Sequence, residues 1–373
     1  MIEHRLGILV GGGPAPGING VISAATIEAV NSGWPVVGIM DGFKWLANGG
    51  SVPTLDLTIE MVSRLHQRGG SILRTSRENP TKDKNRMRNV LNSLQKLGIT
   101  RLITIGGDDT AYSASVLEKE KAGQVNPAMA VAHQKSGVNV IHVPKTIDND
   151  LPLPDNRSTF GYQTARHLGV EIVQNLMEDA ASTNRWYFVI TMGRKTGHLA
   201  LGIAKAAGAT LSVIGEEFNH STIKLAQVAD ILEGAIIKRL AMDRAYGVAV
   251  LSEGLAEKLD RNDPALVNVE RDEHDNLRLS EIDIGKILKN EVKKRLDTRG
   301  IKITIVDKDI GYELRCAAPI PFDCEYVRDL GYGATKLLRE GISGAMVALQ
   351  GGRIVPVYFQ DIIDPLTGKT RIR

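Results

Sequence analysis

Lys145, Thr146, Asp148 and Asp150 fall within the stretch Pro144-Lys145-Thr146-Ile147-Asp148-Asn149-Asp150. Two carboxylates spaced two residues apart, beside a hydroxyl and a lysine, can divide proton abstraction and metal binding between them. Read in isolation, the same string makes an ordinary acidic turn. A second stretch, Gly106-Gly107-Asp108-Asp109-Thr110, pairs glycines that admit a phosphate with a carboxylate, Asp108, that could hold Mg²⁺. Its plain alternative is that Asp108 or Asp109 caps a helix. The third is Gly11-Gly12-Gly13-Pro14-Ala15-Pro16-Gly17. Glycines there let backbone N–H groups meet an anion, and a following helix N-terminus adds its positive dipole. A bare tight turn is the alternative. A dinucleotide fingerprint with Asp41 on the ribose also competes, but Pro16 stands where the third glycine belongs.

Each turn follows a short apolar, β-branched run. Such runs lie at Leu6 to Val10, Pro35 to Met40, Leu102 to Ile105, Val138 to Val143, Trp186 to Thr191, Leu211 to Ile214 and Gly247 to Leu251. Alternation with helical patterns is the βαβ rhythm of a doubly wound sheet. Ligands of open α/β sheets gather at the carboxyl edges of strands, so three phosphate-type loops at successive strand ends reinforce one another. Ile18, Val21, Ile22 and Ala25 keep helical spacing, as do Leu168, Ile172, Val173 and Leu176, and both stripes are expected to be core faces. Leu151 to Asn156, with two prolines, is expected to cross between domains, with a boundary near residue 155. The charged stretch Glu257 to Leu279 reads as a surface insertion or hairpin, with helix resuming from Ile282 to Leu296.

With 373 residues, 43% hydrophobic, the chain exceeds the size at which one core usually stops growing, so two domains are expected. The 46 basic and 43 acidic residues nearly cancel, which argues against nucleic acid or a membrane surface as partner. Cys316 and Cys324 match neither a zinc knuckle nor a redox pair. Together with the lack of an apolar run of roughly 18 residues, this predicts a cytoplasmic protein in a reduced compartment.

Pro144 to Asp150, then Phe160-Gly161-Tyr162-Gln163-Thr164-Ala165 and Met192-Gly193-Arg194-Lys195-Thr196-Gly197, resemble the P-x-T-I-D-N-D, G-F/Y-x-T-A and M-G-R-x-x-G motifs of the phosphofructokinase family. The G-G-D turn is a fourth; by itself it also resembles NAD kinases and lipid kinases. The resemblance runs from residue 6 to about 358 and is weakest from Glu257 to Ile310. It implies the phosphofructokinase fold: two Rossmann-like three-layer α/β domains with the active site in the cleft between them. A donor domain would comprise residues 1–155 plus about 316–358, and a sugar-phosphate domain 156–315 plus about 359–373. It implies a reversible, Mg²⁺-dependent phosphotransfer to fructose 6-phosphate, in glycolysis or gluconeogenesis.

Carried over by position, the resemblance makes Asp148 the general base on the sugar hydroxyl, with Thr146 binding the transferring phosphoryl group and Asp108 and Asp150 organising Mg²⁺. Gly12, Gly107 and Arg77, in Arg74-Thr75-Ser76-Arg77-Glu78, fall with the donor phosphates. Met192, Gly193, Arg194 and Glu253 would contact the sugar phosphate. Tyr312 and Arg315, in Gly311-Tyr312-Glu313-Leu314-Arg315, would hold its phosphate. Arg185 matches an arginine that reaches a neighbouring subunit's site, which implies a homo-oligomer, dimer or tetramer. The family often has another arginine where Val306 stands, and this leaves sedoheptulose 7-phosphate or another sugar phosphate open as acceptor. Surface charge is the plain alternative for Arg77 and Arg194, and a helix cap for Glu253. His142 and His198 lie beside motif residues and receive no role.

Asp109 and Lys145 bear on the donor. A nucleotide must continue past its transferred phosphate, and a glycine after Asp108 would leave room; Asp109 places bulk and negative charge there instead. Even about 3 kcal/mol disfavours ATP more than roughly 100-fold. Lys145 supplies a compact cation for the terminal phosphate of a short donor. The pair resembles the pyrophosphate-dependent branch, so Lys145 and Asp109 join the donor site. An ATP-dependent phosphofructokinase and a non-catalytic sugar-phosphate sensor are the alternatives, the sensor disfavoured because Asp108, Thr146, Asp148 and Asp150 are all present.

Overall fold

The computed structural model describes residues 5–121, 137–260, 262–263, 282–364, 370–371 and 373. The chain forms two compact units, Met1–Thr164 with Arg315–Arg373, and Ala165–Leu314. The strands in chain order are β1 (Arg5–Val10), β2 (Val36–Ile39), β3 (Thr54–Leu57), β4 (Ile99–Gly106), β5 (Asn139–Thr146) and β6 (Phe160–Gly161) in the first unit. The second unit contributes β7 (Arg185–Thr191), β8 (Leu211–Val213), β9 (Gly247–Ser252) and β10 (Thr304–Ile310), after which the first resumes with β11 (Ala345–Gln350) and β12 (Arg353–Tyr358).

In the first unit the strand order is β12-β11-β5-β4-β1-β2-β3, with β6 beside β5. The inner pairs are parallel, and only the edge strands β3 and β12 run antiparallel. Period-two alternation divides the apolar runs between two cores. Leu6, Ile8, Val10, Ile103, Ile105, Ile141, Val143 and Val347 face one side, beneath the helices Ile18–Asn31 and Pro321–Arg339. Leu9, Val37, Leu102, Val140 and Met346 face the other, with Val90, Leu94, Ala114 and Leu117 from the helices Lys84–Lys96 and Asp108–Lys121. Burial on both faces is why these strands read as continuous hydrophobic runs.

The second unit repeats the plan with a four-stranded parallel sheet, β10-β7-β9-β8. Trp186, Phe188, Ile190, Ala249 and Leu251 pack with Val228, Leu232 and Leu288 of the helices Leu225–Leu240 and Ile284–Thr298. Helix His198–Ala207 packs on β8 and β9. Among the described residues no helix is long and apolar enough to cross a membrane.

Several expectations change. The chain passes between units at Thr164, within the helix Tyr162–Thr183, rather than at Leu151 to Asn156, which stays in the first unit. Residues from 359 onward join the first unit, not the second, because Phe359 and Ile362 bury in its core with Leu9 and Val140. Of the stripe Leu168, Ile172, Val173 and Leu176, only Val173 is buried. The buried line of that helix is Ala165, Gly169 and Val173. Small residues permit close approach, and a Cβ at Gly169 would strike Ile203. The segment Glu257 to Leu279 lies mostly outside the described residues, and helix resumes at Ile284.

Candidate active site

Three loops of the first unit end β1, β4 and β5, neighbouring parallel strands, so their turns emerge at one sheet edge. At the first, Gly12 adopts φ +78°, a conformation that favours glycine, and a Cβ there would lie 3.3 Å from the Lys145 Nζ. A Cβ on Gly13 would lie 3.3 Å from the Arg315 guanidinium carbon. The Lys145 ammonium donates to the Gly13 carbonyl. The Arg74 to Glu78 segment is tied to this turn: Gly12 N–H donates to the Ser76 carbonyl at 2.8 Å, and the Thr75 hydroxyl to the Gly12 carbonyl at 2.5 Å. That pairing sets Arg77, exposed, beside the glycine turn.

At the second loop the glycines divide in purpose. A Cβ on either Gly11 or Gly106 would strike the Thr110 side chain, so packing alone requires these two. At Gly107 a Cβ would meet only the Lys145 carbonyl at 3.5 Å, an ordinary contact, so packing does not demand a glycine there. Asp108 and Asp109 open the helix Asp108–Lys121, where a negative charge complements the helix dipole. Asp108 is half-buried and Asp109 exposed.

The third loop is buried: Lys145 is 4% exposed, Thr146 8%, Asp148 7% and Asp150 9%. The Thr146 hydroxyl accepts from the Asp148 N–H at 2.9 Å. Burial pulls the Lys145 ammonium down to about 8, against the Asp148 carboxylate, which supports its charge; Arg315 opposes it, and Asp150 and Asp108 support it more weakly. Lys145 is thus the hub of a cluster of three carboxylates and a guanidinium.

Two further residues that sequence reasoning left without a role brace this edge. His142, fully buried, meets the Gly106 carbonyl through Nε2 at 3.0 Å and the Thr104 hydroxyl through Nδ1 at 2.9 Å. Burial drives its pKa to about 3, so the ring is neutral, Nε2–H donating to Gly106 and Nδ1 accepting from Thr104. Asp323, also fully buried, accepts from the Gly161 and Thr164 N–H groups and the Thr164 hydroxyl at 2.6 to 3.0 Å, capping the helix Tyr162–Thr183. The adjacency of His142 to the motif was a signal; for Asp323, 159 residues from Thr164, there was none.

In the second unit, Met192, Gly193 and Arg194 follow β7 and Glu253 follows β9, its neighbour. One oxygen of Glu253 accepts from the N–H groups of Gly193 at 3.0 Å and Arg194 at 2.6 Å. Glu253 therefore shapes the turn instead of capping a helix. Met192 N–H donates to the Ile310 carbonyl, which brings the end of β10 and Tyr312, 75% exposed, to the same edge. Arg185 lies elsewhere. It begins β7, about 23 Å along the strand from Met192 at ~3.3 Å per residue, and its Nε is 3.8 Å from Asp179. Arg315, expected on the acceptor's phosphate, has its guanidinium against Gly13 and Lys145 in the first unit.

The sequence profile described as Phosphofructokinase matches residues 5–338. The chain belongs to the phosphofructokinase family. This family member is similar to proteins named pyrophosphate–fructose 6-phosphate 1-phosphotransferase: 53% identical to one from Thermotoga maritima, covering 100% of this chain and 87% of the relative, and 46% to one from Naegleria fowleri, covering 99% and 84%. It is 31% identical to an ATP-dependent 6-phosphofructokinase from Chloroflexus aggregans over 95% of this chain and 90% of that one. A solved pyrophosphate-dependent phosphofructokinase from Nitrosospira multiformis shares the fold at TM-score 0.74 and 16% identity, over 100% of this chain and 86% of that chain.

Proposed function

We propose that this phosphofructokinase-family protein transfers a phosphoryl group from pyrophosphate to the C1 hydroxyl of fructose 6-phosphate, giving fructose 1,6-bisphosphate and phosphate. The observation that carries the donor assignment is the buried Lys145 ammonium, bonded to the Gly13 carbonyl, with Asp109 opening the helix after Gly107. The two relatives at 53% and 46% identity are both named for pyrophosphate as donor, which favours the same assignment.

In-line transfer needs positioning and charge neutralisation more than covalent help from the protein. Asp148 accepts the proton of the C1 hydroxyl as that oxygen attacks the distal phosphorus. The bridging P–O bond breaks and its electron pair leaves with inorganic phosphate. Thr146, whose hydroxyl accepts from Asp148 N–H, keeps its own proton to donate to the transferring group. Lys145, Arg77 and Arg315 offset the donor's charge. Among the described residues no group of three or more Asp, Glu, His or Cys is arranged to hold a metal by itself. Two carboxylates, Asp108 and Asp150, fit Mg²⁺ nonetheless, because that ion commonly takes one or two carboxylates plus substrate phosphates. Bound there, it would neutralise phosphate oxygens. The sugar phosphate is assigned to Met192, Gly193, Arg194 and Tyr312, with Glu253 shaping their turn.

Arg185 cannot serve the Met192 turn of its own chain, since β7 separates them. Its assigned role therefore needs a second copy, and the working enzyme is a homo-oligomer. The test of the whole reading is a donor-by-acceptor activity matrix with Mg²⁺, using pyrophosphate, ATP, fructose 6-phosphate and sedoheptulose 7-phosphate. Pyrophosphate with fructose 6-phosphate should dominate. ATP turnover equal to or above pyrophosphate turnover overturns the donor, and sugar-phosphate binding without turnover by any donor favours a sensor.

A further inference from the structure

Arg373 lies 224 residues from Asn149 in sequence, yet makes four hydrogen bonds to one loop. Its backbone N–H donates to the Asp150 carbonyl at 2.8 Å. The guanidinium donates through Nη1 to the Asn149 side-chain oxygen at 3.2 Å and the Arg157 carbonyl at 3.0 Å, and through Nη2 to the Asn156 carbonyl at 2.7 Å. One planar fork thus joins the start of the loop to its end. Only arginine combines several donors in so rigid a geometry.

The loop needs such a brace. Asn149, Asp155 and Asn156 have φ of 57°, 54° and 53°, left-handed conformations that persist where surrounding structure over-determines them. Asn149 is over-determined in that way: its side-chain oxygen also accepts from Thr159 N–H at 3.1 Å. Thr159 in turn donates through its hydroxyl to the Thr146 carbonyl at 2.7 Å. The chain of bonds therefore runs from Arg373 through Asn149 and Thr159 to the residue that orients Asp148. From the same segment, the Thr370 hydroxyl reaches the Asp108 carbonyl at 3.4 Å, and Thr370 is held by its bridge to Ile363. Thr370 and Arg373 thereby span the two strand ends that carry Asp108 and Asp150.

We propose that Arg373 is a positioning residue for phosphoryl transfer, clamping the Asn149 to Arg157 loop so that Asp148 and Asp150 hold their geometry, with Thr370 tying the same segment to the Asp108 turn. This rests on the roles given above to Asp148, Asp150 and Asp108. Arg373 touches no reacting atom; it acts through Asn149 and the Asp150 backbone.

The experiment compares the full chain with Arg373→Ala, Arg373→Lys and Thr370→Val by steady-state kinetics, melting temperature and amide hydrogen exchange of peptides spanning residues 147–160. In Arg373→Ala, kcat with pyrophosphate and fructose 6-phosphate should fall on the order of 10- to 100-fold, the scale of a misplacement near 1 Å. Exchange over 147–160 should rise about tenfold, with the melting temperature and exchange elsewhere unchanged. Lysine keeps the charge but not the fork, so Arg373→Lys should recover only a minor part of the loss, and Thr370→Val should lose about two- to threefold in kcat. Unchanged exchange at 147–160, unchanged kcat, full recovery by lysine, or a loss that tracks a lowered melting temperature each overturns the proposal. Should the unaltered protein lack turnover with every donor, the assigned reaction fails; the exchange comparison still decides whether Arg373 clamps the loop.

Discussion

The Lys145 ammonium donates to the carbonyl of Gly13, 132 residues earlier in the chain, and so ties the end of β5 to the glycine turn after β1. Burial lowers the pKa of this cation to about 8, so its proposed role at the donor predicts binding that is sensitive to mild alkali. In the free protein Lys145 is charged below about pH 8 and neutral above it. Donor affinity carried by the charge is present at low pH and lost as pH rises through that value, though a bound anion raises the pKa. The KM for pyrophosphate should therefore climb above pH 8, while Lys145→Met should have a high KM that lacks this inflection. Measuring KM from pH 7 to 9.5 for both proteins checks it.

Asp109 is the residue proposed to discriminate against nucleotides. Asp109→Gly removes a charge of the wrong sign and should raise kcat/KM for ATP about 100-fold, the equivalent of ~3 kcal/mol. Competition between the two donors at fixed fructose 6-phosphate measures the ratio directly. An unchanged ATP value would mean that Asp109, exposed at the helix start, does not face the donor.

Asp148 is assigned the proton. Asp148→Ser preserves a small polar side chain but not the base, and kcat should drop about 10²- to 10⁴-fold with a modest change in KM. A kcat within threefold of the parent removes Asp148 from that role.

Arg185 offers a test of oligomeric sharing. Arg185→Ala and Asp148→Ser should each be nearly inactive alone. Co-expressed as a randomly mixed dimer, they should recover about a quarter of parental activity, because half the dimers are mixed and each mixed dimer has one intact site. Activity no greater than the sum of the two variants would confine Arg185 to its pairing with Asp179.

His142 ties stability to pH. Its folded pKa, lowered to about 3 by burial, lies below the usual 6.5, so the unfolded chain takes up a proton in acid that the folded protein refuses. Stability from this site is complete above pH 6.5 and declines toward pH 3. His142→Asn should be less stable at pH 7, and the gap to the parent should shrink by about 2 kcal/mol between pH 6.5 and 5, at ~1.4 kcal/mol per unit. Urea unfolding at several pH values reads this out.

Much of the fold was legible because buried parallel strands advertise themselves. Leu6 to Val10 and Trp186 to Thr191 are apolar on both faces, and each appears as a strand of the expected position. Strands β3, β10 and β12 were not read: Thr54–Leu57, Thr304–Ile310 and Arg353–Tyr358 are edge strands whose charged residues or proline break the apolar run, as edges commonly do. Strand β11, Ala345–Gln350, is internal but rich in residues of high helix propensity, so only pairing with β5 and β12 makes it a strand. The helix stripe through Leu168 and Ile172 misled because Ala165 and Gly169, the residues that let another helix approach, have no hydrophobic bulk to count.

Residues contiguous in sequence could be nominated for the site from the sequence alone. Asp148 and Asp150, Gly107 and Asp108, and Met192 to Arg194 sit in loops short enough that spacing alone brings the groups within reach of one ligand. What supports them could not be nominated that way. Arg315 beside Gly13, Asp323 under Gly161, and Arg373 on Asn149 join positions more than 150 residues apart, and no local propensity encodes such meetings. They exist because the sheet edge gathers distant chain segments, and a buried carboxylate or a left-handed loop is stable only where those segments supply its hydrogen bonds.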